Sequence, residues 1–265
     1  MSSLTIEDRF IQQLNLVDGL VDCANQAIAL QFSQCDDAQN EEIQRIVSGV
    51  KVVAEKVEAD GVARQAQGIE PAYHNRQHIV EVLTATQMLL EAQQSALEPI
   101  QTCLDLKQRL LLLIAAIGHD YLHDGGLNQS LADAERLSAN AIQEILLNAG
   151  LSLPDAQHVH DLIMATARAN VVENHTTARS HPDALDANLL AKLIISEVDI
   201  FASLMPNYGI KSGEKLAEEC RRAGVHNASM IASHQGRQFF LTNSFVSSPH
   251  AKALGLDVLV KQQIV

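Results

Sequence analysis

The chain contains no tryptophan, and aromatic residues make up only 3% of its 265 positions. Its large apolar fraction, 47%, is therefore Ala, Leu, Ile and Val, and helix formers dominate while strand-like alternation is scarce. No stretch of Pro, Gly or Ser resembles a linker, so one domain is expected. Cys23, Cys35, Cys103 and Cys220 stand far apart with no C-x-x-C pair, which argues against a thiolate zinc site and a disulfide framework. No apolar run approaches the roughly 20 residues that span a bilayer. The first residues, Met1 to Arg9, place acidic groups where a secretory leader needs basic ones, so a cytoplasmic location is expected.

Positive charge is also short. The net charge of −13 argues against a nucleic-acid backbone or an anionic membrane as partner. The imbalance is uneven, with 5 Lys/Arg against 12 Asp/Glu in residues 1–70 and 7 against 4 in residues 200–265. A locally positive C-terminal segment would suit a phosphate-bearing substrate, and ordinary surface charge accounts for it equally simply.

What is present is helical periodicity. Phe10, Leu14, Val17, Val21, Ala24 and Ile28 draw one stripe after a cap at Ser3 or Thr5, and Asp36, Asp37 and Asn40 end it. Ile43, Ile46, Val50, Val53 and Val57 draw a second stripe, so an N-terminal helical hairpin is expected, packed on its own domain or forming a homodimer contact. A helix from about Tyr73 to Gln94 follows, with Pro99 after it. Leu110 to Ile117 has no polar face and reads as a buried helix delivering His119-Asp120 into the interior. Further helices are expected from Ser130 or Asp133 to Asn148, from Pro154 through Thr166, from Asp186 to Asp199 and from Ser212 to Ala223. A less regular one runs from Asn227 to Phe245. Residues 171–182, polar and rich in Asn, Thr and His, read as a loop bordering the site.

The residues that carry chemistry sit at the ends of these apolar helices. They are Tyr73-His74-Asn75-Arg76-Gln77-His78, then His119-Asp120 with His123, then Asn128 with Glu135, and a late Asp199. His74 and His78 are spaced i, i+4 and would share a helix face, and His123 would lie one turn beyond His119 if that helix continues. A buried imidazole beside a buried carboxylate is costly unless compensated, and a bound cation compensates both.

Tyr-His-Asn-x-x-His followed by Ala-Ala-x-x-His-Asp-x-x-His and a late Asp resembles the HD superfamily of metal-dependent phosphohydrolases, including the class I cyclic-nucleotide phosphodiesterases. The resemblance implies an all-α, phosphodiesterase-like helical bundle. It would comprise an N-terminal hairpin (1–68), an HD metal-binding core (70–205) and C-terminal helices (206–265). It implies that His78, His119, Asp120 and Asp199 hold a first cation, with Asp120 bridging to a second ion coordinated mostly by water. His74 would be the general acid and His123 would hydrogen-bond within the hydrated cluster. Two imidazoles and two carboxylates suit Zn²⁺, Mn²⁺ or Fe²⁺, and a largely aqueous second position suits Mg²⁺ or Mn²⁺. Water acidified there would attack phosphorus, and His74 would protonate the leaving oxygen.

The pattern also departs from the phosphodiesterases. His123-Asp-Gly-Gly-Leu-Asn128 keeps their His, Gly and Asn but lacks their Pro, and Glu135-Arg-Leu-Ser-Ala139 is closer to the bacterial HD hydrolases. Those enzymes' late Gln and Phe, which hold the purine, have only loosely spaced candidates in Gln235 or Gln238 with Phe239. Arg76 could contact phosphate or pair with a carboxylate. The expected function is hydrolysis of a phosphoester in a small nucleotide-like substrate, a 3',5'-cyclic nucleotide being the sharpest version. A nucleotidase acting on nucleoside monophosphates and a non-catalytic nucleotide-binding module are the alternatives.

Overall fold

The computed structural model describes residues 4–33, 40–95, 102–128 and 130–264, and among these no residue is in a β-strand. The expected break residues Asp36, Asp37 and Pro99 lie outside them. Among the described residues no helix is long and apolar enough to cross a membrane.

The N-terminal region is three helices, not two. The first stripe is divided between α1 (Ile6–Leu14) and α2 (Gly19–Phe32), because Asn15 caps α1 and Asp18 precedes α2. Periodicity runs through the break, so the apolar spacing alone hides it. Thr5 and Asp8 form a reciprocal capping box on α1, and Asn40 caps the 26-residue α3 (Glu41–Ala66). Phe10, Ala24 and Ile28 are buried within one apolar cluster that runs on to Val260, so this stripe packs into the chain's own core.

The centre of that core is α5 (Leu106–Gly118), in which Leu110 to Gly118 is buried without exception. Asp105 and Gln108 cap its start reciprocally. Helices α3, α4 (Arg76–Ser95), α7 (Leu153–Met164) and α9 (Ala187–Asp199) surround it. At its end α6 (Asp133–Asn148) crosses so closely that a Cβ on Gly118 would stand 2.6 Å from Ile142 Cγ1. Glycine is what lets the last turn carry the next two residues inward.

Residues 171–182 are not a loop. They lie mostly in α8 (Arg168–Ser180), whose polar sequence disguises it because His175 is its one fully buried side chain. That imidazole lies between Ser247 Oγ (2.6 Å) and Ser196 Oγ (2.9 Å), well inside the fold and away from the His-Asp cluster. His181 follows as the exposed C-cap. After α10 (Phe201–Leu204), α11 (Tyr208–Arg222) and α12 (His234–Asn243) come two short helices that periodicity did not predict, α13 (Pro249–Leu254) and α14 (Leu256–Gln263). His250, near the start of α13, is fully buried.

Candidate metal and general-acid site

His78 projects from the first turn of α4, His119 caps α5, Asp120 follows it and Asp199 ends α9. His78 and His119 are 2% and 1% exposed. His78 Nε2 lies 3.4 Å from Asp120 Oδ2 and 3.3 Å from Asp199 Oδ1, and His119 Nε2 lies 3.1 Å and 3.4 Å from the same two atoms. Donors held about 2.1 Å from one ion stand about 3.0 Å apart in octahedral and about 3.4 Å apart in tetrahedral geometry, so the spacing fits a common centre.

The donor chemistry fits as well. His119 Nδ1 donates to Ala116 O (2.9 Å), which turns the lone pair of Nε2 toward the carboxylates. His119 Nε2 and Asp120 Oδ2 are buried and lack hydrogen-bond partners, as expected of atoms shaped to meet a cation. Burial would raise the Asp120 carboxyl, but the His119 and His74 imidazoles outweigh it and hold the group well below the usual range. Asp199 is lowered likewise against burial by His119 and His78. The paired negative charge that would keep protons on the imidazoles attracts a divalent cation for the same reason.

The second half of the site is built on His74. It precedes α4 rather than lying on it, so the expected shared helix face does not exist and only His78 is helical. Asn75 makes the turn, its side chain accepting from Gln77 N (2.9 Å) and donating to Pro71 O (3.0 Å). Glu219, from α11, takes the His74 Nδ1 proton in a very short hydrogen bond and accepts from the backbone N–H of Tyr73 (2.7 Å) and His74 (3.0 Å). Burial works against protonation of His74, but Asp120 and Glu219 together raise its pKa.

His123 reaches the same space by an unexpected route. Helix α5 has already ended, and Leu122 adopts φ 67°, a left-handed conformation unusual for leucine. The ring thereby stacks on His74 with centroids 4.0 Å apart and planes 27° apart. His123 Nδ1 accepts from Gly125 N (3.0 Å), and Arg64 grips its carbonyl at 2.7 Å. Burial and the neighbouring His74 lower its pKa, the opposite direction to the shift of His74.

Other expectations require correction. Asn128 is exposed and Glu135 half-buried, and they pair with each other (3.2 Å), while Asn128 Oδ1 accepts from Ala134 N (2.8 Å), so they shape the start of α6. Ser138, one turn beyond Glu135, holds the carbonyl of Tyr121 at 2.5 Å and thereby steadies the turn after Asp120. Arg76 is taken up by Glu58, Glu70 and Gln65, in keeping with the carboxylate pairing that was one of its two readings. Of the C-terminal basic residues, Arg221 and Arg222 both clasp Glu218, Lys261 pairs with Asp257, and Lys215 stands 3.9 Å from Glu81. Gln238 donates to Gln263 O (2.9 Å). Gln235 and Phe239 line a largely apolar cavity of about 620 Å³ with Met230, Ile231 and Ser203. Ser203 Oγ lies 3.1 Å from the Tyr73 hydroxyl, which joins the cavity wall to the histidines.

Glu219 was not foreseen, nor was Glu81. The only sign of either was an acidic residue on the buried face of a helix. Glu81 is 3% exposed, receives the Tyr208 hydroxyl (2.6 Å) and stands 3.9 Å from His78 Nδ1.

The described residues form an all-α fold that gathers two histidines and two aspartates at helix ends, where they could hold a metal ion. The resemblance to the cyclic-nucleotide phosphodiesterases is borne out by the comparisons. Residues 73–144 match the family described as 3'5'-cyclic nucleotide phosphodiesterase. The crystal structure of yeast caPDE2 in complex with IBMX is similar over 92% of this chain and 56% of that one, at 16% identity and a TM-score of 0.58. A second yeast caPDE2 structure gives the same coverage and identity with a TM-score of 0.57. The chain thus spans a little over half the length of these structures, and they share its fold. No curated protein matches the sequence.

Proposed function

We propose that this chain is a metal-dependent phosphodiesterase that opens the phosphodiester of a 3',5'-cyclic nucleotide. The observation that carries the reading is the His74–Glu219 pair standing beside the His78, His119, Asp120 and Asp199 cluster. An acid so placed serves a substrate whose leaving group is a poor one, an alkoxide.

His78, His119, Asp120 and Asp199 would hold the first cation, and Asp120 would extend toward a second. Divalent cations there neutralise phosphoryl charge and acidify water. His74 donates its Nε2 proton to the departing 3' oxygen, while Glu219 accepts a hydrogen bond from Nδ1–H, which favours the charged ring and aims it. His123 covers one face of His74 and confines it to that aim. Tyr73 packs against His78 at 4.7 Å between centroids and limits the reach of water from that side. The cavity bordered by Phe239 and Gln235 is wide and apolar enough to take a purine.

The test is an assay of metal-analysed protein supplied with Mn²⁺ or Mg²⁺, comparing cyclic AMP and cyclic GMP with nucleoside mono- and triphosphates. Opening of a cyclic nucleotide is expected. Phosphate release from monophosphates alone would make the protein a nucleotidase, and bound metal without turnover on any of them would favour a binding module. His74→Ala should keep its metal and lose most of its turnover, and loss of metal in that variant would make His74 a ligand instead of the acid.

A further inference from the structure

The acid's partner, Glu219, and the hydroxyl that meets Glu81, from Tyr208, are carried by one helix. Helix α11 begins at Tyr208 and holds Glu219 eleven residues, roughly 17 Å, further along. Its N-terminus has no side-chain cap of its own, since Asn207 caps nothing. The cap comes from the other end of the chain. Glu7 on α1 is 8% exposed, and its Oε1 accepts from Asn207 N (2.8 Å) and Tyr208 N (2.6 Å) while Oε2 accepts from Asn207 Nδ2 (3.0 Å). Three residues later, Phe10 packs against Phe201 at 5.2 Å and edge-on against Tyr208 at 5.5 Å.

We infer that Glu7 is a positioning residue for the general acid, acting as a remote N-cap that fixes α11 and through it Glu219 and His74. A carboxylate at this point satisfies backbone N–H groups that a helix start otherwise leaves open, and it complements the positive end of the helix dipole. A rigid helix passes any displacement at Tyr208 to Glu219, whose short contact with His74 tolerates little movement. Tyr208 is also tied to Glu81 and so to the back of His78, which means the same cap steadies both halves of the site. The inference rests on the proposed role of His74, and it gives α1 a task beyond packing.

The experiment compares the full chain with Glu7→Gln at saturating Mn²⁺ on two substrates. One is the cyclic nucleotide that the wild type opens, and the other is bis(p-nitrophenyl) phosphate, whose leaving group needs no proton. Glu7→Gln should lower kcat on the cyclic nucleotide by roughly tenfold or more with little change in KM, and on the nitrophenyl ester by less than about twofold. In a Glu219→Gln background it should add no further selective loss. Equal losses on both substrates, or none on either, would overturn the inference. A wild type that hydrolyses neither substrate would instead sink the phosphodiesterase reading beneath it. Should Glu7→Gln fail to fold, Asn207→Ala removes one of the three contacts, and the same split between substrates is required of it at smaller size.

Discussion

Replacing Glu219 by Gln tests the acid half of the site with almost no change in shape. The carboxylate accepts the Nδ1 proton of His74 and two backbone N–H groups. A glutamine can keep its oxygen on the backbone donors, but its NH₂ then faces Nδ1 and requires that nitrogen to accept. The imidazolium becomes a neutral imidazole. Hydrogen bonds to charged groups contribute about 1.5–3 kcal/mol, which corresponds to a fall of about 1–2 units in the pKa of His74. His74 is raised in the native protein, and as a general acid it works only while protonated. Activity is therefore lost as pH rises through its pKa, and lowering that pKa moves the alkaline limb of the pH–rate profile downward by about 1–2 units. On the alkaline side of the native limb kcat should fall roughly 10- to 100-fold. The assay is steady-state hydrolysis from pH 5.5 to 9.5, with thermal melting to show that the variant is folded. A folded variant whose alkaline limb stays in place would refute the argument, because Glu219 is the acceptor that His74 Nδ1 meets.

Asp199→Ala should remove bound metal and activity together, measured by elemental analysis beside the assay, and phosphatase activity that survives metal loss would count against the cluster. Gly118→Ala places a methyl against Ile142 at 2.6 and 2.9 Å and should cost about 1–3 kcal/mol of stability, read from urea melts. His175 is pushed down to about 4 by burial and by Arg179. The unfolded chain therefore binds more protons between about pH 6.5 and 4, and the stability that His175 contributes is lost as pH falls through that window. Glu197, pushed up to about 7 by burial, acts in the opposite direction. The effect is thus read as the difference between wild type and His175→Asn, which should lack about 2 kcal/mol of the change between pH 7 and 5.

Most of the cluster was legible because His119, Asp120 and Asp199 end or directly follow an apolar helix. A carboxylate at the end of Leu190-Ala-Lys-Leu-Ile-Ile-Ser-Glu-Val198 or an imidazole after Leu110 to Gly118 is conspicuous against the run that leads to it. The helix at His74 was misplaced because the Tyr73 to His78 segment keeps helical spacing while Asn75 turns the chain. The polar loop was misjudged because α8 buries a single histidine and leaves no stripe to count. Glu219 was out of reach for a different reason. Its partner lies 145 positions earlier, and within α11 it resembles the acidic residues that precede it, Glu214 and Glu218. Only the three-dimensional approach of α11 to Tyr73 tells them apart. Gln235, Gln238 and Phe239 showed the reverse problem, since their types suggested recognition and the fold uses Gln238 to hold Gln263.

The distance along the chain between His74 and Glu219 also sets an order of assembly. Chains emerge N-terminus first and fold progressively. All four residues that would take up a cation are present once Asp199 has been made, whereas the partner of the acid arrives twenty residues later on a helix whose cap has waited since Glu7. A growing chain would thus collect its cation-binding groups before it could orient a proton donor. Competence for chemistry would come last, when the two ends of the chain meet at Asn207.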